Sequence, residues 1–360
     1  MTDEINDDKC SSDSLIFVSA LCLFLSAIEY AIPKPLPFLR LGLANLPVII
    51  FLKKIRFRDL LLIILFKVLG QAIISGTLFS YIFIFSVSGS FASGLMMFAF
   101  YKLLYRKKII SNVGLSLFGA MANCSAQLIC AYFIMFGANT IYIVPLLTVF
   151  SAITGVILGL FCNYFEQKSK WLQEIDLKSI KSSEILEIPA EIEKNKNNIM
   201  AIFTIIIAII FLILLLSIRN NICTWSIVGL FFILLEIKKK GKVKLLPPFL
   251  TAFFIILFSL LSPYGLVYLD LGLIKITQGA VESGLRKSGI LIGMIFCSQL
   301  ILASKVNFPG KIGVRIQQFF NYYGMFSQSM RKIKFKGIIQ FIDEHLQNIT
   351  DCSMAEGGQK

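Results

Sequence analysis

The chain has little of the side-chain chemistry on which most catalytic and metal sites depend. It contains a single histidine, His345, and eight cysteines without a Cys-x-x-Cys pair. It also has no Asp-Asp-x-x-Asp cluster and no glycine-rich loop ending in Gly-Lys-Ser/Thr. These absences argue against histidine catalysis, a metal site, a disulfide framework, magnesium-diphosphate chemistry and ATP hydrolysis by this chain. We therefore expect a protein that is not an enzyme in its own right and that carries no cofactor or metal.

Charge is also scarce, and long apolar runs take its place. Charged residues make up 16% of the chain and hydrophobic residues 56%, with a mean hydropathy of +0.78. Several apolar runs approach the ~20 residues that a helix needs to cross a bilayer. Only helices or closed barrels span lipid, and these runs lack the alternation of barrel strands. The sequence thus predicts an all-α polytopic membrane protein.

The apolar runs predict about ten membrane spans in two groups. The spans are expected near residues 14–32, 41–53, 59–80, 89–105, 113–136 and 141–165, then near 199–217, 222–237, 248–267 and 286–304. The second span is short and contains Pro47, so we expect it to be tilted, broken or re-entrant. The resulting division of the chain is an acidic leader over 1–13, a first membrane domain over 14–165, a cytoplasmic linker over 166–198, a second membrane domain over 199–304 and a basic amphipathic tail over 305–360.

The positive charges predict the orientation of the chain in the membrane. If the N-terminus is cytoplasmic, the basic clusters all fall on the cytoplasmic side, at residues 53–58, 106–108, 168–196, 238–240 and 331–336. The opposite connections, 80–88 and 137–141, carry no charge. By the positive-inside rule we expect a multi-pass protein of the bacterial inner membrane with both termini in the cytoplasm. The same rule accounts for the formal net charge of +14 without a nucleic-acid partner.

Polar side chains within the predicted spans indicate a site, because such groups are costly in lipid. By depth, six of them converge in the outward half of the first domain, and we predict these as substrate-binding residues: Glu29, Arg40, Asn45, Gln71, Asn123 and Gln127. Such a pocket suits a small polar or amphiphilic ligand. The alternative is structural, a Glu29–Arg40 or Glu29–Lys67 ion pair with amides that join helices. Lys67 is left outside the predicted site, because its long side chain can extend towards the membrane surface.

Two further patterns predict contacts between helices. Ala27 and Ala31 are four residues apart, as are Gly289 and Gly293, and small residues at this spacing let backbones approach closely. Ordinary internal packing is the alternative reading of each pair. In the tail, aromatic residues alternate with basic ones, which predicts a helix that rests on lipid headgroups or docks a cytoplasmic partner.

A resemblance to a known family rests on particular motifs. The run "IPKPLPFLRLGLANLP", a basic turn after it, Gly-Thr-Leu-Phe at 76–79 and an Asn-x-x-x-Gln within 114–127 resemble the membrane family called both Gx transporter and heptaprenyl diphosphate synthase component I. This resemblance covers about residues 14–165. The family is similar to the six-helix substrate-binding S components of energy-coupling factor (ECF) transporters. Residues 245–340 resemble the coupling subunit of such transporters, in which Arg315 would match part of an ATPase-docking motif.

The resemblance implies two different functions. As an ECF-type transport component, the protein would bind a small nutrient or vitamin-like molecule for uptake driven by separate ABC-type ATPases, with the C-terminal half as a roughly four-helix coupling domain. As a synthase component, it would be the non-catalytic membrane subunit (component I) of a heptaprenyl or polyprenyl diphosphate synthase. The transport role is the favoured expectation, because the predicted pocket faces outward. A scaffold without a ligand is a third possibility.

Overall fold

The structure of the protein is a computed structural model that describes residues 12–31, 41–105, 109–169, 171–172, 197–217, 220–239, 246–260, 265–270, 275–302, 310–329 and 346–347. These residues are almost wholly helical, in agreement with the predicted all-α class. The N-terminal helices are α1 (Ser12–Ala31), α2 (Leu46–Phe51), α3 (Phe57–Ser75), α4 (Tyr81–Phe100), α5 (Asn112–Ala131) and α6 (Val144–Lys168). The C-terminal elements are α7 (Asn197–Ser217), α8 (Asn221–Lys239), α9 (Leu246–Ser259), β1 (Val267–Asp270), β2 (Lys275–Thr277), α10 (Gln278–Leu302) and α11 (Gly310–Ser329).

Membrane-spanning character is evident in four of the described helical stretches. By length and composition, four of them are able to cross a bilayer: Tyr81–Tyr105, Asn112–Tyr142, Val144–Lys168 and Gln278–Ile301. Four shorter apolar helices accompany them among the described residues. The protein is therefore a helical membrane protein, whereas the layout of six spans followed by four stays a prediction.

Three element boundaries differ from those that hydropathy predicted. Helix α4 begins at Tyr81 rather than near residue 89, because the apolar run continues past the turn at Gly76 and hydropathy therefore marks no helix boundary there. The span predicted over 248–267 ends at Ser259, and an antiparallel hairpin of β1 and β2 follows it. Helix α10 then begins at Gln278 rather than near residue 286. Hydropathy alone missed polar residues that lie inside helices.

Glycines bring α5 and α6 into close contact in the N-terminal half. A Cβ atom added to Gly155 would lie 2.9 Å from the Cβ of Ala120, and one added to Gly159 would meet the backbone of Val113. A side chain at either position would force the helices apart. Helix α5 also packs along α4, so α4, α5 and α6 form one continuous layer.

Helix α1 packs against α3 on one side and against the tail helix α11 on another. The contact with α11 is aromatic: the ring of Phe17 lies 5.4 Å from that of Phe326 and 5.7 Å from that of Tyr322, and Phe66 of α3 lies 5.6 Å from Phe319. The aromatic face of α11, which the sequence assigned to lipid headgroups or to a partner, is thus buried within the same chain.

Trp171 joins the same aromatic core from the segment after α6. Its ring lies 6.4 Å from Phe17 and 6.2 Å from Phe51, and its side chain is 3% exposed. The burial of Trp171 ties the segment after α6 to α1 and α2.

The C-terminal half is built around α10, which contacts α7, α8 and α9. Its glycines face neighbouring helices: a Cβ atom on Gly289 would lie 3.2 Å from Thr224 Cγ2, and one on Gly293 would lie 2.8 Å from Leu215 Cδ2. Helix α10 also touches the N-terminal half, where the Phe79 N–H donates to Ser298 Oγ over 3.3 Å. The two halves therefore share contacts through both α10 and α11.

Candidate functional site

The interior of the N-terminal helices carries a band of small polar side chains. On α4 they recur at intervals of four and three residues, which places them on one face of the helix. Facing helices α5 and α6 contribute further hydroxyl and amide groups. The buried members are Ser86, Ser90 and Ser93 on α4, Ser116, Asn123 and Gln127 on α5, and Ser151 and Thr154 on α6.

Asn45 is the centre of a hydrogen-bonded chain across this band. Gly42 has φ +85°, a left-handed conformation that glycine adopts without strain, and it starts the short 3-10 turn that ends at Asn45. The ammonium of Lys67 on α3 donates to Asn45 Oδ1, and Asn45 Nδ2 donates to Ser93 Oγ over 3.2 Å. Lys67 is 3% exposed. The chain therefore links α3, α4 and the turn through a buried positive charge.

Glu29 holds the start of the same turn. Its carboxylate accepts a hydrogen bond from the backbone N–H of Leu41 over 2.8 Å, and its side chain is 5% exposed. Among the described residues, Glu29 and Lys67 are the buried charged side chains. One contacts each end of the segment from Leu41 to Asn45, so the two charges position this segment.

Asn123 and Gln127 form the opposite side of the band. Gln127 Nε2 donates to Asn123 Oδ1 over 3.2 Å, and their four-residue spacing places both side chains on one face of α5. Both amides pack on Gly89 of α4, where an added Cβ atom would overlap Asn123 Oδ1 and lie 3.1 Å from Gln127 Nε2. Gly89 thus makes room for the amide pair.

A small cavity of about 20 Å³ lies between these groups. Space of this size holds about one water molecule, and it is far below the ~300–1,000 Å³ of common ligand pockets. Its polar lining comes from three different elements, and its apolar lining includes Leu41, Ile49, Met97 and Leu158. The polar residues are Asn45, Ser116, Asn123, Ser151 and Thr154.

The predicted substrate-binding residues occupy different positions around this cavity. Asn45 and Asn123 line it, Gln127 lies behind Asn123, and Glu29 lies behind Leu41. Gln71 does not line it; its Oε1 is buried and accepts no hydrogen bond from any described residue. Arg40 lies outside the described residues.

Sequence reasoning missed Lys67 and the hydroxyl groups. Lys67 was set aside as a side chain able to extend to the membrane surface, but its ammonium turns inward to Asn45. The predicted site was built from charged and amide side chains, so it left out the serines of α4. Their spacing of four and three residues within an apolar stretch was the signal that would have identified a polar helix face.

The other predicted positions are placed as follows. Ala27 is half-buried on α1, whereas the side chain of Ala31 lies outside the described residues. Gly289 and Gly293 meet α7 and α8. Arg315 lies on α11 with its side chain exposed.

Comparison with known proteins bears on the half that holds this cavity. Residues 18–165 match the model of the heptaprenyl diphosphate synthase component I family. This segment, here called the component I segment, is similar to that family. Residues 200–304 match a domain family of unknown function. No curated protein and no solved structure matches the chain. The component I segment includes both charged residues and every lining residue of the cavity.

Replacing Asn45 by alanine is expected to destabilise the component I segment. The change removes the acceptor of the Lys67 ammonium and the donor to Ser93. A hydrogen bond to a charged group contributes about 1.5–3 kcal/mol, so we expect a loss of about 2–3 kcal/mol and an apparent Tm lower by about 5–10 °C in detergent.

Ser125→Ala is the matched control for Asn45→Ala. Ser125 is exposed on α5, and its hydroxyl donates within the helix to the Met121 carbonyl over 2.9 Å. Its removal is expected to change the free energy of unfolding by less than about 0.5 kcal/mol. Equal Tm values for Asn45→Ala and Ser125→Ala would contradict the assignment of Asn45 to the buried chain.

Proposed function

We propose that the protein is a non-catalytic membrane component that acts with partner proteins and holds a small molecule in its N-terminal half. The match of residues 18–165 to the component I family carries this proposal, because the family's name denotes one component of a larger enzyme. The polar band around Lys67 supports the second part of the proposal. A buried charge in a membrane protein is costly and commonly marks a functional site.

The family match favours a role as component I of a heptaprenyl or polyprenyl diphosphate synthase. The sequence has no Asp-Asp-x-x-Asp cluster for magnesium-diphosphate chemistry. In this role a separate prenyltransferase subunit would supply that chemistry, and this chain would anchor the subunit at the membrane.

A transport role is the second candidate, and the cavity favours it. Polar side chains from separate elements converge inside a helical bundle, as in sites for small solutes. In this role the protein would be an ECF-type substrate-binding component of the bacterial inner membrane, with both termini in the cytoplasm. ABC-type ATPases would then dock near Arg315, whose side chain is exposed on α11.

Purification of the intact protein from its native membranes in mild detergent distinguishes these roles. Mass spectrometry would identify the proteins and small molecules that co-purify. We expect a prenyltransferase subunit if the synthase role is correct, and ABC-type ATPases with a small nutrient if the transport role is correct. Recovery of the chain without any specific protein partner would contradict the proposed function.

An Arg315→Ala variant sharpens the same experiment. Under the transport role, we expect this change to reduce the recovery of the ATPases. Arg58→Ala is the matched control, because Arg58 is also an exposed arginine but lies at the start of α3. Equal loss of the ATPases in both variants would argue against a docking site at Arg315.

A further inference from the structure

The cavity in the N-terminal half has a lining rich in hydrogen-bond donors. Lysine has donors and no acceptor, so the contact with Lys67 requires Asn45 to present Oδ1 to the ammonium. The Asn45 Nδ2 group then faces the other way, where one of its two N–H groups bonds to Ser93. The second N–H group remains for whatever occupies the cavity.

Asn123 has the same polarity for a different reason. Its Oδ1 accepts the hydrogen bond from Gln127 Nε2, which leaves the Nδ2 donors for the cavity that it lines. Ser116 and Ser151 add hydroxyl groups, each of which is able to donate one hydrogen bond. Thr154 differs, because its hydroxyl donates to the Ser151 carbonyl over 3.2 Å and presents its lone pairs.

The buried charges favour an anion over a cation at this position. Lys67 contacts Asn45 directly, and its positive charge polarises the amide so that the Nδ2 donors become stronger. Glu29, by contrast, accepts a hydrogen bond from the Leu41 N–H at the far end of the turn. The positive charge thus acts through a side chain that lines the cavity, whereas one carboxylate oxygen of Glu29 contacts the Leu41 backbone.

We propose that the cavity binds the oxyanionic end of a ligand, a carboxylate or a phosphate. The amide groups of Asn45 and Asn123 and the hydroxyls of Ser116 and Ser151 donate to its oxygens. Lys67 is a positioning residue that orients Asn45 and supplies the compensating charge. This inference rests on the proposed function, since it names the chemical class of the small molecule held by the N-terminal half.

The size of the cavity sets a condition on binding. At about 20 Å³ it accommodates about one water molecule. A carboxylate or phosphate group is larger, so its entry requires an outward shift of one wall. The segment from Leu41 to Asn45 is the wall that two long side chains, Glu29 and Lys67, hold in place.

Thermal unfolding of the intact protein in detergent tests the proposal with defined probes. Sodium acetate and sodium diphosphate are each compared with sodium chloride at equal ionic strength. A ligand that binds the folded state raises its stability, so we expect at least one of the two oxyanions to raise the Tm above the chloride value. Stabilisation by acetate identifies a carboxylate ligand, and stabilisation by diphosphate identifies a phosphate ligand. No stabilisation by either would overturn the proposal.

Variants assign the effect to the cavity. Lys67→Met keeps the length of the side chain and removes its charge, and we expect it to weaken oxyanion binding by about tenfold or more. Lys67→Arg keeps the charge and is expected to restore most of the affinity. Lys53→Met is the matched control, because Lys53 is an exposed lysine whose Nζ lies 3.1 Å from Glu166 Oε1. Equal affinity in Lys67→Met and Lys53→Met would overturn the proposal.

A second variant keeps the test valid if Lys67→Met fails to fold. Ser116→Ala removes one lining hydroxyl and a single oxygen atom from α5, and we expect it to weaken oxyanion binding several-fold at unchanged Tm in chloride. Asn123→Leu removes a second polar lining group. An oxyanion affinity that stays unchanged in both Ser116→Ala and Asn123→Leu would also overturn the proposal.

Failure of this inference is distinguishable from failure of the proposed function. Recovery of a partner with a neutral small molecule would support the proposed function and contradict the inference of an oxyanionic ligand. A Tm increase by oxyanions that depends on Lys67, without any co-purifying partner protein, would support the inference and contradict the proposed function.

Discussion

Replacing Gly159 by alanine is expected to cause one of the two largest losses of stability in this protein. The added methyl group would meet the Cα of Val113 and lie 3.1 Å from the carbonyl oxygen of Asn112. Both are backbone atoms of α5, which cannot rotate away as a flexible side chain would. Overpacking typically costs about 1–3 kcal/mol and sometimes more, and we expect about 3 kcal/mol here because two helices must separate. Thermal unfolding in detergent would show the loss as a lower Tm.

Gly229→Ala provides the matched control for this substitution. Gly229 lies within α8, and no atom of the described chain would lie within 4 Å of its added Cβ. Alanine favours helix over glycine by about 1 kcal/mol, so we expect an unchanged or slightly higher Tm. Similar Tm values for Gly159→Ala and Gly229→Ala would show that α5 and α6 are not in close contact.

Phe326→Ala is expected to have the other large effect, by releasing α11 from α1. Phe326 is 0% exposed, and its ring lies 5.4 Å from Phe17 and 5.6 Å from Phe24. Truncation of a buried phenylalanine costs about 3–5 kcal/mol. The Phe326 ring packs on two rings of α1, so its truncation weakens the contact between α11 and α1. We expect α11 to detach before the rest of the protein unfolds.

Tryptophan fluorescence measures this detachment. The chain has two tryptophans, Trp171 and Trp225, so a Trp225→Phe background leaves Trp171 as the reporter. Trp171 lies beside Phe17, on which α11 packs. In this background, Phe326→Ala is expected to shift the Trp171 emission to longer wavelength as water reaches the core.

Phe253→Ala is the control for the fluorescence experiment. Phe253 is 59% exposed on α9, so its truncation creates no buried cavity, and we expect the emission of Trp171 to stay unchanged. An unshifted emission in Phe326→Ala would contradict the docking of α11 on α1.

Apolar runs predicted most of the helices, but they predicted interior helix faces poorly. The predicted start of α4 came eight residues late because the apolar run continues past the turn at Gly76, so hydropathy marked no helix boundary there. Within α4, Ser86 and Gly89 are buried and face other helices rather than lipid. Hydropathy reports the apolar character of a segment and not its surroundings. It therefore does not mark the ends of a helix whose polar face is buried within the protein.

The tail helix shows a different limit of sequence reasoning. Its alternation of aromatic and basic residues predicted an amphipathic helix, and α11 is a helix. The surface that covers its aromatic face lies on α1, at the other end of the sequence. Periodicity identifies a face that needs a partner but carries no information on which distant segment supplies it.

The candidate site was predictable where its residues are close in sequence and unpredictable where they are distant. Asn123 and Gln127 are bonded through helical spacing alone. The contact between Lys67 and Asn45 depends on how α3 packs against the turn at Gly42. The long side chain of Lys67 can reach lipid headgroups or a buried amide equally well, and only the packing decides between them.

The docking of α11 on α1 has a consequence for biosynthesis. Phe17 and Phe24 are synthesised well before Tyr322 and Phe326, whose rings pack on them. At about 5–20 residues per second, the delay is on the order of tens of seconds. During that time the aromatic face of α1 must be shielded by lipid, by the insertion machinery or by a temporary neighbour. The N-terminal half therefore completes its own core only after the C-terminal half has been synthesised.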